Sequence, residues 1–212
     1  MKDDIQAWNE ADPKDLWVYD KLYIAKRLGY NCGPSGLQIP KLENTKWIVR
    51  PITSFCGMSA GAHIYRQGKT SFYDIPLGYF WSEYFEGEQY SVDYLYGEQY
   101  ITYRAVRPKK NPLYKFKKWV RADKELTPPD FIKEVLDKYD HTNVEYIVTE
   151  TGPKVIEVHL RCNPNPDALE MIPVWASDGD KKPCPKGFVF EEAYGDADGY
   201  LEDQRLGFYV RR

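Results

Sequence analysis

The chain has 212 residues, of which 42% are hydrophobic and 29% charged, with a net charge of −3. That length buries a real core as one large domain or two small lobes. The charge supplies no general attraction to nucleic acid or membrane surfaces, and no apolar run approaches the roughly 18 residues of a membrane span.

Aromatic residues make up 16% of the chain, with 18 Tyr, which favours β-structure and stacking surfaces. Cys32, Cys56, Cys162 and Cys184 are widely spaced without a CxxC, and with only three His they argue against structural zinc. Reduced thiols and a cytoplasmic setting are expected. The opening MKDDIQAWNEADPKD has no apolar core, which predicts neither a leader nor an anchor.

Along the chain, 15–28 (DLWVYDKLYIAKRL) predicts a short helix stopped near Gly29. A Gly/Pro-rich connector at 31–40 precedes a strand at 47–50 that Pro51 halts. The loop 54–62, SFCGMSAGA, presents backbone N–H groups without side-chain obstruction, as a phosphate chain requires, but has neither GxxxxGK[ST] nor GxGxxG spacing. Strands are expected at 78–84, 89–96 and 99–107, the last two joined by Gly97-Glu98 as a two-residue turn. Between the first two, WSEYFEGEQYSVD (81–93) enters a connector, turns at Gly87 and leaves as an alternating strand. Such a connector suits a purine edge and a ribose, or serves equally as an acidic surface turn. A basic, Pro-interrupted loop at 109–118 leads to a helix at 128–139 that opens on Pro-Pro-Asp. From Pro173 the tail is rich in Gly, Pro and Asp, with one apolar patch at 187–193.

The most informative stretch is 143–161, NVEYIVTETGPKVIEVHLR. Two β-rich runs flank Glu150-Thr151-Gly152, and a hairpin through that loop pairs Thr149 with Pro153, Ile147 with Val155, Glu145 with Glu157 and Asn143 with His159. Alternation then places Asn143, Glu145, Glu157 and His159 on one face, with Val144, Tyr146, Ile156, Val158 and Leu160 facing the core. Like charges opposed on a sheet destabilise it, so two Glu there imply a cation between them, and oxygen ligands suit Mg2+ or Mn2+. A solvated outer face with incidental Glu is the bland alternative. Asp93 reads as a polar face residue, Asp167 sits in turn chemistry, and His63 and His141 read as ordinary histidines. Hairpins with a few interspersed helices predict an α+β fold, not βαβ alternation.

In this order the pieces resemble the ATP-grasp superfamily over about residues 16–167. Asp20-Lys21 with Cys32-Gly33-Pro34 and Ile39-Pro40 resembles the family's DK…GxxxP opening, Ile48-Val49-Arg50-Pro51 its V-K-P strand, and SFCGMSAGA its phosphate-covering loop. Residues 82–93 resemble its nucleotide hinge, and the hairpin its D/E…ExNxR metal-binding close. The resemblance implies two α+β lobes with mostly antiparallel sheets and ATP bound between them with Mg2+ or Mn2+. It divides the chain into an N-terminal lobe (1–77), a nucleotide- and metal-binding lobe (78–172) and a C-terminal extension (173–212).

By the same resemblance Lys21 touches the phosphates, and Arg50 replaces a Lys that bridges phosphates and adenine. Gly57, Ser59 and Gly61 cover the phosphates, Glu83, Tyr84 and Phe85 line the adenine, and Glu88 takes the ribose. Glu145 and Glu157 bind metal with His159, which replaces an Asn and suits Mn2+ better than Mg2+. Arg161 is available to a substrate carboxylate or acyl phosphate, and Arg104, with Arg107, lies on a strand that often supplies phosphate-contacting cations. The implied activity is an ATP-dependent ligase acting on a small-molecule carboxylate and an amine, through an acyl phosphate. The family's N-terminal α/β domain has no counterpart before residue 15, so a partner chain, a homo-oligomer or the C-terminal extension is expected to supply that surface. One alternative is a non-catalytic nucleotide-binding subunit. Another is a nucleic-acid-binding protein that uses the basic aromatic run 104–121.

Overall fold

The computed structural model describes residues 2–42, 45–53, 55, 59–65, 74–108, 113–192 and 203–212. Its strands alternate large apolar and polar residues, and they pair into two sheets that are antiparallel throughout. The smaller sheet holds β1 (Cys32–Pro34), β2 (Trp47–Pro51), β3 (His63–Tyr65) and β4 (Tyr79–Glu83), in the order β1-β4-β2-β3. The larger holds β5 (Glu88–Leu95), β6 (Glu98–Val106), β7 (Lys118–Arg121), β8 (His141–Thr149), β9 (Gly152–His159), β10 (Glu170–Trp175), β11 (Val189–Glu192) and β12 (Arg205–Arg211). Their order is β11-β12-β10-β7-β6-β5-β8-β9. With α1 (Asp4–Glu10), α2 (Lys21–Arg27), α3 (Asp130–Leu136) and short 3-10 helices among the described residues, the expected α+β class with mostly antiparallel sheets is the one observed. Among the described residues, no helix is long and apolar enough to cross a membrane.

Alternation sets the faces. In β5, Tyr90, Val92 and Tyr94 enter a core shared with Val144, Tyr146, Val158, Ile132 and Leu136, which α3 and the N-terminal helices close. Gln89, Ser91 and Asp93 point the other way and are buried too, at 4%, 1% and 6% exposure. A strand buried on both faces with polar groups on one of them is shielding something polar. In β2, Trp47 and Val49 pack with Trp81, Ile39 and Ile75, which leaves Ile48 and Arg50 for the opposite side.

Three sequence expectations change. The helix over 15–28 divides at Asp20, between a 3-10 helix (Pro13–Tyr19) and α2, because the Asp20 carboxylate accepts from the Tyr23 N–H at 2.7 Å and caps a new helix. The β5–β6 turn is Tyr96-Gly97, not Gly97-Glu98. Leu95 pairs with Glu98, and φ is 48° and 76° at the two turn residues, as a type I′ turn requires. Pro173 lies inside β10, and the tail beyond it returns as β12 to bury Phe208 and Val210 against Trp119 and Met171. Replacing Phe208 with Ala should therefore cost about 3–5 kcal/mol in urea denaturation. A loss under about 1 kcal/mol would show that β12 is not part of the core.

Candidate functional site

The β8–β9 hairpin turns at Glu150-Thr151, with Gly152 at φ 108°. Ile147 sits opposite Lys154 and Thr149 opposite Gly152, one residue away from the expected register. A bulge at Ile156 absorbs that difference, so Glu145 still faces Glu157 and Asn143 still faces His159. The bulge also sends Val155 into the core, at 3% exposure, in place of Ile156. The Ile156 carbonyl is thereby free to accept from Arg50 Nη1 at 3.1 Å.

Across β5, β8 and β9 the register aligns two polar rows, Ser91–Glu145–Glu157 and Asp93–Asn143–His159. Lys21 Nζ lies 3.0 Å from Glu157 Oε1, held there because Lys21 is the first residue of capped α2. Gln89 Nε2 donates to Glu145 Oε2 at 2.9 Å, and Arg107 donates to the side-chain amide oxygen of Gln89, Oε1. Burial, then the Glu157 charge, pushes the Glu145 carboxyl up. Burial also raises Glu157, but Lys21, His159 and Arg50 outweigh it and hold this carboxyl below its ordinary value. Arg50 is depressed by burial against the pull of both carboxylates. In the second row Asn143 Nδ2 and the Asn163 N–H donate to Asp93 Oδ1 at 2.7 and 2.8 Å, yet burial still pushes Asp93 up to about 6.

Two cavities meet at these carboxylates. One, about 840 Å3 counted to its open mouth, lies between the sheets and is lined by Lys21, Arg50, Ser59 and the connector Glu83, Tyr84, Phe85. The second, about 990 Å3 on the same measure, has His159, Arg161, Trp119 and Trp175 on its walls. Both are bounded by Ser59, Gln89, Glu145 and Glu157. The connector joins β4 of the small sheet to β5 of the large one, and Gly87 is required there, because a Cβ would lie 2.2 Å from the Val148 carbonyl oxygen.

Ten of the fourteen site residues singled out from the sequence are thus Lys21, Arg50, Ser59, Glu83, Tyr84, Phe85, Glu145, Glu157, His159 and Arg161, each on one cavity or the other. Gly61 occupies the turn beside Ser59 without lining either cavity, and Gly57 lies outside the described residues. The structure does not bring Glu88 and Arg104 to the cavities. They pair with each other at 2.7 Å, half exposed. The reason is parity: Glu88 shares the face of Tyr90, whose hydroxyl donates to it at 2.9 Å, and Arg104 sits opposite Tyr90. Their neighbours Gln89 and Arg107 reach the site instead. Counting alternation from Val92 would have selected Gln89, whereas nothing local marks Asp4, which enters from α1 to contact His159 and Arg161. Among the described residues no group of three or more His, Cys, Asp or Glu is arranged to hold a metal ion unaided.

No family model and no curated protein matches the sequence. Among solved structures the chain is similar to D-alanine–D-alanine ligase from Bacillus anthracis complexed with ATP, at 16% identity and TM-score 0.41, over 68% of this chain and 55% of that one. It is also similar to a putative ATP-grasp superfamily protein from Archaeoglobus fulgidus, at 14% identity and TM-score 0.49, over 92% and 64%. A third is the ATP-grasp ligase PsnB complexed with a phosphomimetic precursor variant, Mg and ADP, at 11% identity and TM-score 0.47, over 71% and 52%. The chain thus spans between about half and two thirds of the length of these proteins. Likeness at this identity concerns fold, and the residue roles below rest on the chain's own geometry.

The buried carboxyls give the metal-free protein a testable pH dependence. Glu145 and Asp93 are raised in the folded state, so their contribution is fully present below their unfolded values and is lost as pH rises through the folded ones. Glu157 and Asp4 are lowered and act only in more acid solution. Without metal, the melting temperature should fall by several degrees between about pH 5 and pH 7.5, at roughly 2–4 °C per kcal/mol. Glu145→Gln should remove most of that fall. A wild-type profile flat across this window would contradict the burial of Glu145.

Proposed function

We propose that this chain is an ATP-grasp protein that binds ATP with a divalent cation and phosphorylates a carboxylate to an acyl phosphate, releasing ADP; an amine or similar nucleophile then takes the acyl group and inorganic phosphate leaves. The observation that carries the proposal is the buried Glu145–Glu157 pair at the junction of two cavities, with cations clustered on one side. Arg50 supports the fit to a nucleotide. Its Nε is buried without a hydrogen-bond partner, and an unsatisfied buried donor is costly unless an incoming acceptor meets it. A phosphate oxygen is such an acceptor. Mg2+ is commonly held by one or two carboxylates plus substrate phosphates, which suits a pair of Glu that forms no complete metal site alone.

When bound, ATP supplies the phosphoryl group, and the cation neutralises charge on it. The chain's own part is positioning. Lys21, Arg50 and Arg107 hold the phosphates, the connector from Glu83 to Phe85 lines the base, and Glu145 and Glu157 hold the cation. Arg161 on the second cavity orients the substrate carboxylate. The basic run 104–121 fits a nucleic-acid reading less well, because four of its cations among the described residues are paired within the chain. Arg104 pairs with Glu88, Lys115 with Asp203, Lys118 with Glu170 and Arg121 with Asp167.

Calorimetric titration with ATP and Mg2+ tests the nucleotide site. Wild type should bind, and Arg50→Met should weaken binding about ten- to hundredfold while leaving the free protein equally or more stable, because a desolvated charge is removed. No binding by wild type at millimolar ATP would overturn the reading. The cation site has a separate test. Mg2+ or Mn2+ should raise the melting temperature by mass action, and Glu157→Gln should abolish that rise. An undiminished rise in the variant would place the ions elsewhere.

A further inference from the structure

The second cavity has two unlike sides, and the aromatic one has no part in the proposed phosphoryl transfer. Trp119 pairs with Met171 in the large sheet, and alternation along β10 brings Pro173 and Trp175 to the same face. Trp119 and Trp175 are 5% and 4% exposed. Two half-buried rings from the loop before β7 pack on them. Phe116 lies 4.6 Å from Trp119, tilted by 48°, and Tyr114 lies 5.6 Å from Trp175, tilted by 65°. All four rings line the cavity.

The loop that carries Tyr114 and Phe116 is anchored by the C-terminal segment. Lys115, between the two rings, pairs with Asp203 and donates to Ser177 Oγ at 3.3 Å. The Ser177 N–H donates in turn to Asp203 Oδ1 at 3.0 Å. Lys115 and Asp203 are largely withdrawn from solvent, and an ion pair so placed is tolerated only when further hydrogen bonds support it, as they do here. The aromatic side is therefore set in place before any ligand arrives, which lowers the ordering cost of binding.

Charge limits what this wall accepts. Lys115 Nζ lies 5.2 Å from the centre of the Trp175 ring, and Arg107 Cζ lies 4.7 Å from that of Phe116. A cationic guest would meet two positive charges already placed over those rings. The acids of this cavity nearest the N-terminus offer it little, because Asp3 is held in the α1 capping box and Asp4 pairs with Arg161. A neutral aromatic ring meets no such repulsion and gains edge-on and offset-stacked contacts. On the ionic side, Arg161 uses two of its five N–H donors on Asp4 and the Cys162 carbonyl, which leaves donors for a carboxylate.

We propose that the substrate carboxylate carries an aromatic ring, which seats against Tyr114, Phe116, Trp119 and Trp175 while Arg161 holds the carboxylate beside Glu145 and Glu157. The proposal rests on the ligase reading above and adds to it the class of substrate. None of the four wall residues belongs to a motif that carries the family resemblance, and Trp175 with the Ser177–Asp203 anchor comes from the C-terminal extension. A mostly apolar wall with a few convergent polar groups is the usual composition of a small-molecule site.

The test uses the full chain with Mg2+ and a non-hydrolysable ATP analogue, titrated calorimetrically with 3-phenylpropanoate, 3-cyclohexylpropanoate and 6-aminohexanoate. The phenyl acid should bind about two- to tenfold tighter than its cyclohexyl counterpart, which is the worth of aromatic contacts beyond apolar area. The aminohexanoate should bind more weakly than either. Tyr114→Leu and Trp175→Leu should each bring the phenyl-to-cyclohexyl ratio close to one, while the ATP analogue still binds as in wild type. Tyr114 sits half-buried on a loop, so its variant decides the matter if Trp175→Leu fails to fold. A wild-type ratio near one, tightest binding of the aminohexanoate, or a ratio unchanged in the folded wall variants overturns the proposal. Binding of the analogue with no binding of any acid at millimolar concentration also overturns it, while the nucleotide reading stands. A wild type that does not bind the analogue removes both.

Discussion

Two carboxylates that repel each other, Glu145 and Glu157, are held face to face inside the protein, and much of the surrounding structure exists to make that tolerable. The compensation is uneven. Glu157 has Lys21 at 3.0 Å and titrates low, whereas Glu145 has the neutral Gln89 at 2.9 Å and titrates high. One carboxylate is thus kept charged by a cation from the same chain, and the other carries a charge most readily when something positive arrives. That difference makes the pair a receptor for a cation instead of a closed ion-pair network.

Every neighbouring element is placed by this constraint. The capped start of α2 sets Lys21, alternation in β2 turns Arg50 away from the Trp47–Val49 side, and the bulge at Ile156 gives Arg50 a carbonyl to lean on. Arg50 also lies over the Phe80 ring, with the guanidinium carbon 5.1 Å from its centre. The two sheets meet through a connector so tight that only glycine fits at position 87. Chain segments far apart in sequence thereby surround one polar row, and the cavities open on either side of it.

The C-terminal strands extend the same logic to the far wall. Trp175 and Arg205 border the second cavity, and β12 seals the sheet behind them with Phe208 and Val210. Trp175 packs edge-on against Tyr114 at 5.6 Å, and Phe116 packs against Trp119 at 4.6 Å. One side of that cavity is therefore aromatic and the other ionic.

Local pattern alone determined the α+β class, the strands β2, β4, β5 and β6, helix α3, and the opposition of Glu145 to Glu157. Each follows from alternation, turn residues or capping chemistry within a few residues of the site in question. The hairpin shows how far that reaches. Assuming a regular ladder misplaced its tip by one residue, yet the carboxylates stayed paired because a bulge restored the register below it. Tertiary structure decided the rest. Glu88 and Gln89 are adjacent on opposite faces of β5; alternation from Val92 separates them, and packing of the Tyr90 face against the core makes the Gln89 face the one that meets the site. Asp4 carries no local signal, because its role depends on contacts with His159 and Arg161 more than 150 residues away. Short-range sterics and hydrogen bonds write themselves into neighbouring residues, whereas long-range desolvation and charge pairing are settled only when distant segments share one interior.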